Sequence, residues 1–173
     1  SRFKGQDYAG GKGTSTARGT HVPLIANWPG KIAPGQVNRN LIGSVDFLPT
    51  IVALAKPPGS GSTPPDGRSF LPQLLRASDA KPREWLYSWY SADGGKNADW
   101  EYAMSTTHKL YRDGRFFELS ADPFEAKPLK VAALAGPAAA AAKSLQGALD
   151  QFKDARPAHL WELGNGPGQG KRK

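Results

Sequence analysis

The sequence predicts an α/β segment followed by a small α+β subdomain with an antiparallel sheet and one C-terminal helix. Three observations predict this order. The apolar run Val22–Trp28 is typical of a buried strand in a mostly parallel sheet. Asp113-Gly114, between two strand-like stretches, indicates a hairpin with a type I′ turn, which needs positive φ at both central residues. The apolar spacing and the opening proline of Ala138–Phe152 predict the last helix.

The rest of the first half is predicted to contain one regular helix. Apolar residues recur at helical spacing over residues 45–55, and Ser44 or Asp46 is a suitable N-cap. Pro49 then lies in the first turn, where its missing N–H costs little. Two shorter elements are expected, an extended piece at residues 40–45 and a helix at about residues 70–75.

The second half is predicted to be antiparallel. Four strands are expected, at Trp85–Tyr90, Glu101–Thr106, His108–Arg112 and Arg115–Leu119. We place the domain boundary near residue 80, which divides the chain into residues 1–80, residues 81–160 and a flexible basic tail at residues 161–173.

The positive charge is concentrated at the two ends of the chain. The net charge is +8, and residues 1–40 hold six Lys or Arg against the single acid Asp7. A nucleic-acid binder would instead show a basic stripe interleaved with stacking aromatics, so we predict an anionic substrate and no nucleic acid partner. No apolar run approaches the roughly 20 residues that a membrane span needs, so no membrane partner is predicted. With no cysteine, the chain has neither disulfides nor thiolate metal ligands.

Lys12 is the main candidate for chemistry. Gly10, Gly11 and Gly13 flank it and leave the backbone free to adopt conformations that other residues avoid. Such a loop can hold one ammonium at a fixed point and bring backbone N–H groups close to an anion. The structural alternative is a lysine that ties the loop to a carboxylate.

The extended pattern around Lys12 resembles sulfatases. Residues 10–35, GGKGTSTARGTHVPLIANWPGKIAPG, are similar to the GKGT…VP-L-I…WPGKI-PG block of that family. Three further blocks follow in the family's order, at residues 44–50 (SVDFLPT), 66–75 (DGRSFLPQLL) and 108–125 (HKLYRDG…FELSADPFE). The resemblance covers roughly residues 10–129 and implies that residues 1–80 are the end of an alkaline-phosphatase-like sulfatase α/β domain.

The resemblance implies roles for two residues. The lysine of the GKG motif contacts the substrate's sulfate in sulfatases, so Lys12 is predicted to be catalytic and substrate-binding. His21 is a second substrate-binding candidate, which could line the pocket or donate a proton; its structural alternative is to cap the strand that follows. One departure lies inside the motif, because Ala17 stands where the family often has an acid.

The resemblance also implies that parts of the machinery lie elsewhere. Sulfatases use a formylglycine made from a C/S-x-P-x-R motif, which this chain lacks. They also use a calcium ion held by residues upstream of the GKG motif, where the only acidic residue of this chain is Asp7. We therefore expect the C-terminal portion of an arylsulfatase-like sulfuric ester hydrolase, inactive alone. Its expected partners are a sulfate-ester substrate and the missing N-terminal part, which would hold the calcium. The family suggests a secreted or periplasmic location.

One alternative function stays open. A non-catalytic module that binds sulfated or other polyanionic ligands would explain the basic N-terminal region and the absent nucleophile equally well.

Overall fold

The computed structural model describes residues 10–55, 66–91 and 100–155, together with the backbone of residues 2–3 and 6–7. The described chain divides into two compact units, residues 1–23 with 87–173, and residues 24–86. The predicted tail at residues 161–173 lies outside the described residues. The division at residue 80 stays a prediction.

The helices and strands follow in a simple order. They are β1 Arg2–Phe3, β2 Gln6–Asp7, α1 Ala17–Thr20, a 3₁₀ turn Ser44–Asp46, α2 Phe47–Ala55, α3 Leu71–Leu74, β3 Leu86–Tyr90, β4 Trp100–Met104, β5 His108–Tyr111, β6 Phe116–Glu118, a 3₁₀ turn Val131–Ala133 and α4 Gly136–Gln151. None of the described helices combines the length and the apolar character needed to cross a bilayer.

The predicted antiparallel sheet is confirmed. Its strand order is β3-β4-β5-β6, and the β4–β5 and β5–β6 pairs are antiparallel. Ala103, Leu110 and Phe116 lie opposite one another across three strands and are fully buried. Helix α4 contributes Leu145 and Leu149 to this core and packs on β4 and β5.

The opposite face of the sheet carries an aromatic cluster and one buried lysine. Tyr102, Tyr111 and Phe117 form the cluster. Lys109 lies opposite Phe117 on the neighbouring strand and is only 1% exposed. Since side chains alternate between faces along a strand, the register places Lys109 on the same side as Tyr111.

The hairpin between β5 and β6 is confirmed, but its predicted turn type is wrong. Gly114 has a φ of 89°, whereas Asp113 is absent from the described non-glycine residues of positive φ. The Tyr111 N–H donates to the Arg115 carbonyl (2.9 Å), and the Gly114 N–H donates to the Tyr111 carbonyl (3.0 Å). This is a three-residue loop in which the left-handed glycine follows an ordinary turn, so a type I′ turn is not required.

The predicted helix at residues 45–55 is confirmed as the 3₁₀ turn and α2, with a different cap. Gly43 occupies the N-cap position, and its N–H donates to the Asp46 carboxylate (2.8 Å). Asp46 therefore caps the helix from inside its first turn, and Ser44 lies within the turn as well. The acceptor reaches back along the chain, as in a capping box.

The prediction of a buried strand at Val22–Trp28 is wrong for the described structure. These residues belong to none of the described strands, and Val22 and Ile25 are 74% and 89% exposed. A parallel strand becomes buried only when neighbouring strands flank it and helices cover both of its faces. Those neighbours are absent from the described residues, so the α/β half of the predicted fold is not formed by them.

Candidate functional site

Lys12 lies at the corner of a tight, closed turn. The Gly11 carbonyl accepts hydrogen bonds from the backbone N–H and the hydroxyl of Thr14, at 2.9 and 2.7 Å. Gly13 has a φ of 78°, which is the conformation that the third residue of a type II turn adopts. The Lys12 side chain is exposed. The turn therefore holds the Lys12 backbone while leaving its ammonium accessible.

The loop folds back onto itself through two glycines. A Cβ atom on Gly19 would lie 2.2 Å from the Thr14 carbonyl oxygen and 2.4 Å from that of Gly11. A Cβ atom on Gly11 would lie 2.3 Å from the Cβ atom of Arg18. Both positions need glycine because the facing atoms are too close for any side chain. We call residues 11–19 the lysine loop.

Ser15 joins the lysine loop to the sheet. Its carbonyl oxygen accepts a hydrogen bond from Lys109 Nζ, and its Oγ lies 2.8 Å from Tyr111 Oη. Lys109 Nζ also lies 3.0 Å from Glu125 Oε1, and the Tyr111 hydroxyl donates to Glu125 Oε2. We call Ser15, Lys109, Tyr111 and Glu125 the anchor cluster. Each oxygen of the Glu125 carboxylate has its own donor, and the two side chains of the ion pair are 1% and 3% exposed.

Burial shifts the pKa values of two residues of the anchor cluster. Burial lowers the pKa of Lys109, and the neighbouring charge of Glu125 opposes that shift. Burial and the hydrogen bond to Glu125 raise the pKa of Tyr111 well above its ordinary value. The Lys109 ammonium also lies 3.9 Å from the ring centroid of Tyr102, whose π face favours a cation. The cluster thus contains a neutral tyrosine and a compensated ammonium.

A turn after β6 positions Glu125. The Glu125 N–H donates to the Asp122 carbonyl (3.1 Å), and the Lys127 N–H donates to the Asp122 carboxylate (2.8 Å). Backbone hydrogen bonds, that of Lys127 foremost, lower the pKa of Asp122. Next to Glu125 in the chain, Phe124 makes a cation–π contact: the Arg18 guanidinium lies 3.9 Å from the centroid of its ring. The Asp-Pro-Phe-Glu block therefore contacts the lysine loop directly through Phe124, and Glu125 is linked to it through Lys109 and Tyr111.

The residues of the anchor cluster were not predicted as site residues. Lys109, Tyr111 and Glu125 belong to the motif block at residues 108–125, which was used only as a sign of resemblance. The available signal was the spacing of Lys109 and Tyr111, which are two residues apart on one predicted strand. Their side chains therefore share a face, which otherwise carries aromatic residues. Such a lysine needs a buried partner, and the same block offers two glutamates, Glu118 and Glu125, of which the structure pairs Glu125 with Lys109.

The structure leaves the two predicted site residues on the surface. Lys12 and His21 are both exposed; Lys12 lies near the start of the lysine loop, and His21 follows it, directly after α1. The His21 N–H donates to the Ala17 carbonyl (2.9 Å), so its backbone ends α1 and does not cap a strand. Their contacts with substrate stay predictions.

A separate polar cluster joins two motif blocks within residues 24–86. The Asp46 carboxylate accepts hydrogen bonds from the backbone N–H groups of Gly43 (2.8 Å) and Arg68 (2.7 Å) and from the Arg83 guanidinium. Burial raises the pKa of Asp46, but these donors outweigh burial and lower it. A Cβ atom on Gly67 would lie 1.9 Å from the Val45 carbonyl oxygen. The two blocks are therefore packed against each other.

Comparison with known proteins agrees with the motif blocks. A family model described as "N-sulphoglucosamine sulphohydrolase, C-terminal" matches residues 15–153. Arylsulfatase A of Homo sapiens is 44% identical over 77 residues, which is 44% of this chain and 15% of that protein. The N-acetylgalactosamine-6-O-sulfatase of Bacteroides thetaiotaomicron is 28% identical over 131 residues, covering 68% of this chain and 25% of that protein.

Among solved structures, a putative sulfatase from Bacteroides thetaiotaomicron covers 64% of this chain and 24% of its own, with a TM-score of 0.46 and 21% identity. The chain spans a quarter or less of the length of these three proteins. Because the family model covers most of the chain, the resemblance is confirmed: this chain belongs to the N-sulphoglucosamine sulphohydrolase C-terminal family and corresponds to the C-terminal portion of sulfatases.

Proposed function

We propose that this chain is the C-terminal portion of an arylsulfatase-like sulfuric ester hydrolase and supplies the lysine that contacts the sulfate group. The observation that carries the proposal is the geometry of Lys12, whose exposed ammonium extends from a closed turn on a loop that buried groups anchor. An exposed lysine on a mobile loop would sample many positions. A lysine on a closed turn loses less freedom when it binds an anion.

Lys12 can perform one of the three tasks that sulfate-ester hydrolysis requires. The reaction needs a nucleophile, a proton donor for the leaving alcohol, and stabilisation of charge on the sulfuryl oxygens. The lysine ammonium is a compact point charge with three donors, which suits contact with a sulfate oxygen. His21, which follows α1 directly, is the second candidate for substrate contact.

The other components would come from the rest of the enzyme. The chain lacks cysteine, and Ser62-Thr63-Pro64 continues without the arginine of the formylglycine motif. Within the described residues, no three His, Asp or Glu side chains group as a metal site would require. The described residues therefore do not fit a calcium site.

Exposed apolar side chains support a large intramolecular partner. In the unit formed by residues 24–86, Ile25, Leu48 and Ile51 are all more than half exposed. Several other apolar residues of that unit are exposed too, namely Leu24, Val37, Val45, Phe47 and Leu54. On α2, Phe47, Leu48, Ile51 and Leu54 recur at helical spacing and so share one exposed apolar face. An exposed apolar face of this kind marks an interaction site. We infer that the preceding part of the sulfatase covers this surface.

The test is Lys12→Ala in a protein that contains the complete sulfatase. Loss of one contact to the transition state commonly lowers turnover about 10²–10³-fold. The matched control is Lys153→Ala, which removes an exposed lysine after α4. Turnover of an aryl sulfate should fall strongly for the first variant and stay near wild type for the second. Equal rates for Lys12→Ala and the control would contradict the proposal.

A second candidate is a polyanion-binding module without catalysis. The six Lys or Arg against one acid in residues 1–40 favour it. It predicts that the 173-residue chain alone binds a sulfated polysaccharide, with an affinity that falls steeply as salt is raised. Salt-dependent binding together with an unchanged turnover for Lys12→Ala in the complete protein would favour this candidate.

A further inference from the structure

We propose that Lys109, Tyr111 and Glu125 are positioning residues, which fix the lysine loop on the sheet and thereby place Lys12 at the sulfate. The inference rests on the proposed function for its catalytic meaning. The contacts themselves belong to the described structure and can be tested without any assay of catalysis.

The first argument is that the loop's own hydrogen bonds do not set its location. The bonds from Thr14 to Gly11 and from Gly19 to Thr16 span only three residues each. They define the shape of the loop but tie it to nothing else. Ser15, three residues after Lys12, is the point at which the loop is bonded to β5, through both its carbonyl oxygen and its hydroxyl.

The second argument is that docking of the loop completes the coordination of a buried charge. The Lys109 ammonium is buried and has two oxygen acceptors within hydrogen-bond reach, Glu125 Oε1 and the Ser15 carbonyl. If the loop moved away, the ammonium would lose one of these acceptors. A buried charged donor without an acceptor is expensive, so the position of the loop is coupled to the stability of the pair.

The third argument concerns Tyr111, which bridges the loop and the ion pair. Its hydroxyl donates to Glu125 and lies within hydrogen-bond distance of Ser15 Oγ. Its ring packs on Tyr102 and Phe117, with centroid separations of 5.5 and 5.9 Å. Tyr111→Phe therefore keeps the ring in the aromatic cluster and removes only the bridging hydroxyl.

The sheet offers a matched control for this variant. The Tyr87 hydroxyl donates to Glu101 Oε1 (3.0 Å), and its ring stacks on Phe152. Glu101 is also paired with Arg112, whose guanidinium donates to the Leu149 carbonyl at the end of α4. Tyr87→Phe thus removes one hydroxyl from the same sheet on the side that faces α4.

The experiment is amide hydrogen exchange of the 173-residue chain, followed by mass spectrometry. In Tyr111→Phe, exchange of residues 11–20 should become about three- to tenfold faster while α4 keeps its protection, because the loop loses its hydrogen bond between Ser15 and Tyr111. In Tyr87→Phe, residues 11–20 should exchange as in the wild type. Unchanged exchange of the loop in Tyr111→Phe, or an equal increase over the loop and α4, would overturn the proposal.

A double variant tests the ion pair between Lys109 and Glu125 itself. Lys109→Met combined with Glu125→Leu replaces two buried charges with apolar groups of similar size, which is tolerated better than removing one charge alone. We expect a folded sheet with a more rapidly exchanging lysine loop. A folded double variant with an unaltered loop would show that the pair does not position it.

A mutant cycle in the complete sulfatase links position to chemistry. Tyr111→Phe should lower kcat in the wild-type background and have no further effect in the Lys12→Ala background, because both act through one ammonium. Equal losses in both backgrounds would refute the positioning role. If Lys12→Ala leaves kcat unchanged, the proposed function fails, while the exchange data still decide whether the cluster anchors the loop.

Discussion

Asp46 provides the most direct test of how the motif blocks hold residues 24–86 together. Its carboxylate is buried and accepts hydrogen bonds from two backbone N–H groups and from the Arg83 guanidinium. The Gly43 N–H belongs to the start of the helix, and the Arg68 N–H belongs to the distant Asp-Gly-Arg-Ser block. Asp46→Ala removes the common acceptor and leaves all of these donors in place.

The expected loss of unfolding free energy in Asp46→Ala follows from the hydrogen-bond donors that lose their acceptor. Each buried donor left without an acceptor costs about 1–3 kcal/mol. Breaking a buried ion pair costs about 3–5 kcal/mol, and less where the remaining partner can turn to water, as the slightly exposed Arg83 can. These terms overlap, so we expect a total loss of about 3–5 kcal/mol for Asp46→Ala. Such a loss is a large part of the roughly 5–15 kcal/mol that stabilises a typical domain.

The assay is urea unfolding combined with local hydrogen exchange. Residues 43–50 and 67–71 should lose protection together in Asp46→Ala, because both segments depend on the same carboxylate. The control is Asp66→Ala in the Asp-Gly-Arg-Ser block itself, where the side chain is exposed. Exposed substitutions of this kind usually change stability by less than about 0.5 kcal/mol. A loss below 1 kcal/mol for Asp46→Ala, or equal effects of the two variants, would refute the reasoning.

Two further predictions concern the lysine loop and its anchor. Because the pKa of Tyr111 is raised in the folded state, its proton is retained while the unfolded chain loses it above about pH 10. Tyr111 therefore contributes stability that is present below pH 10 and falls as the pH rises, by about 1.4 kcal/mol at pH 11. Urea unfolding at pH 8 and pH 11 should show a smaller alkaline loss for Tyr111→Phe. Gly19→Ala would place a Cβ atom 2.2 Å from the Thr14 carbonyl oxygen, so it should open the loop and speed its exchange while α4 is unaffected.

Each of these predictions has a result that would contradict it. For Tyr111, that result is a loss of unfolding free energy between pH 8 and pH 11 that is the same in the wild type and in Tyr111→Phe. Lys109 and the other titratable groups are present in both proteins, so a difference between the two reports on Tyr111 alone. For Gly19, the control is Gly10→Ala, whose added Cβ meets nothing within 4 Å. Equal exchange of the loop in the two glycine variants would show that the close approach at Gly19 is not what closes it.

Elements with strong local signals were predicted well. Helix α4 has its proline at the start and its buried leucines at helical spacing, and the hairpin has glycine at the residue of positive φ. These signals depend on a few neighbouring residues, so they act in almost any surroundings. Even there, the turn type depended on the register of the flanking strands, which placed Asp113 in an ordinary conformation.

Local patterns along the chain were enough to predict the family, the glycine-flanked Lys12 and the order of most helices and strands in the second half. Which groups are buried together depended instead on contacts between distant segments. Lys109 is bonded to Ser15, 94 positions earlier in the chain, and no periodicity in the sequence records that contact. The exposure of Val22–Trp28 could not be predicted locally either, because an apolar run becomes a buried strand only when other segments cover it.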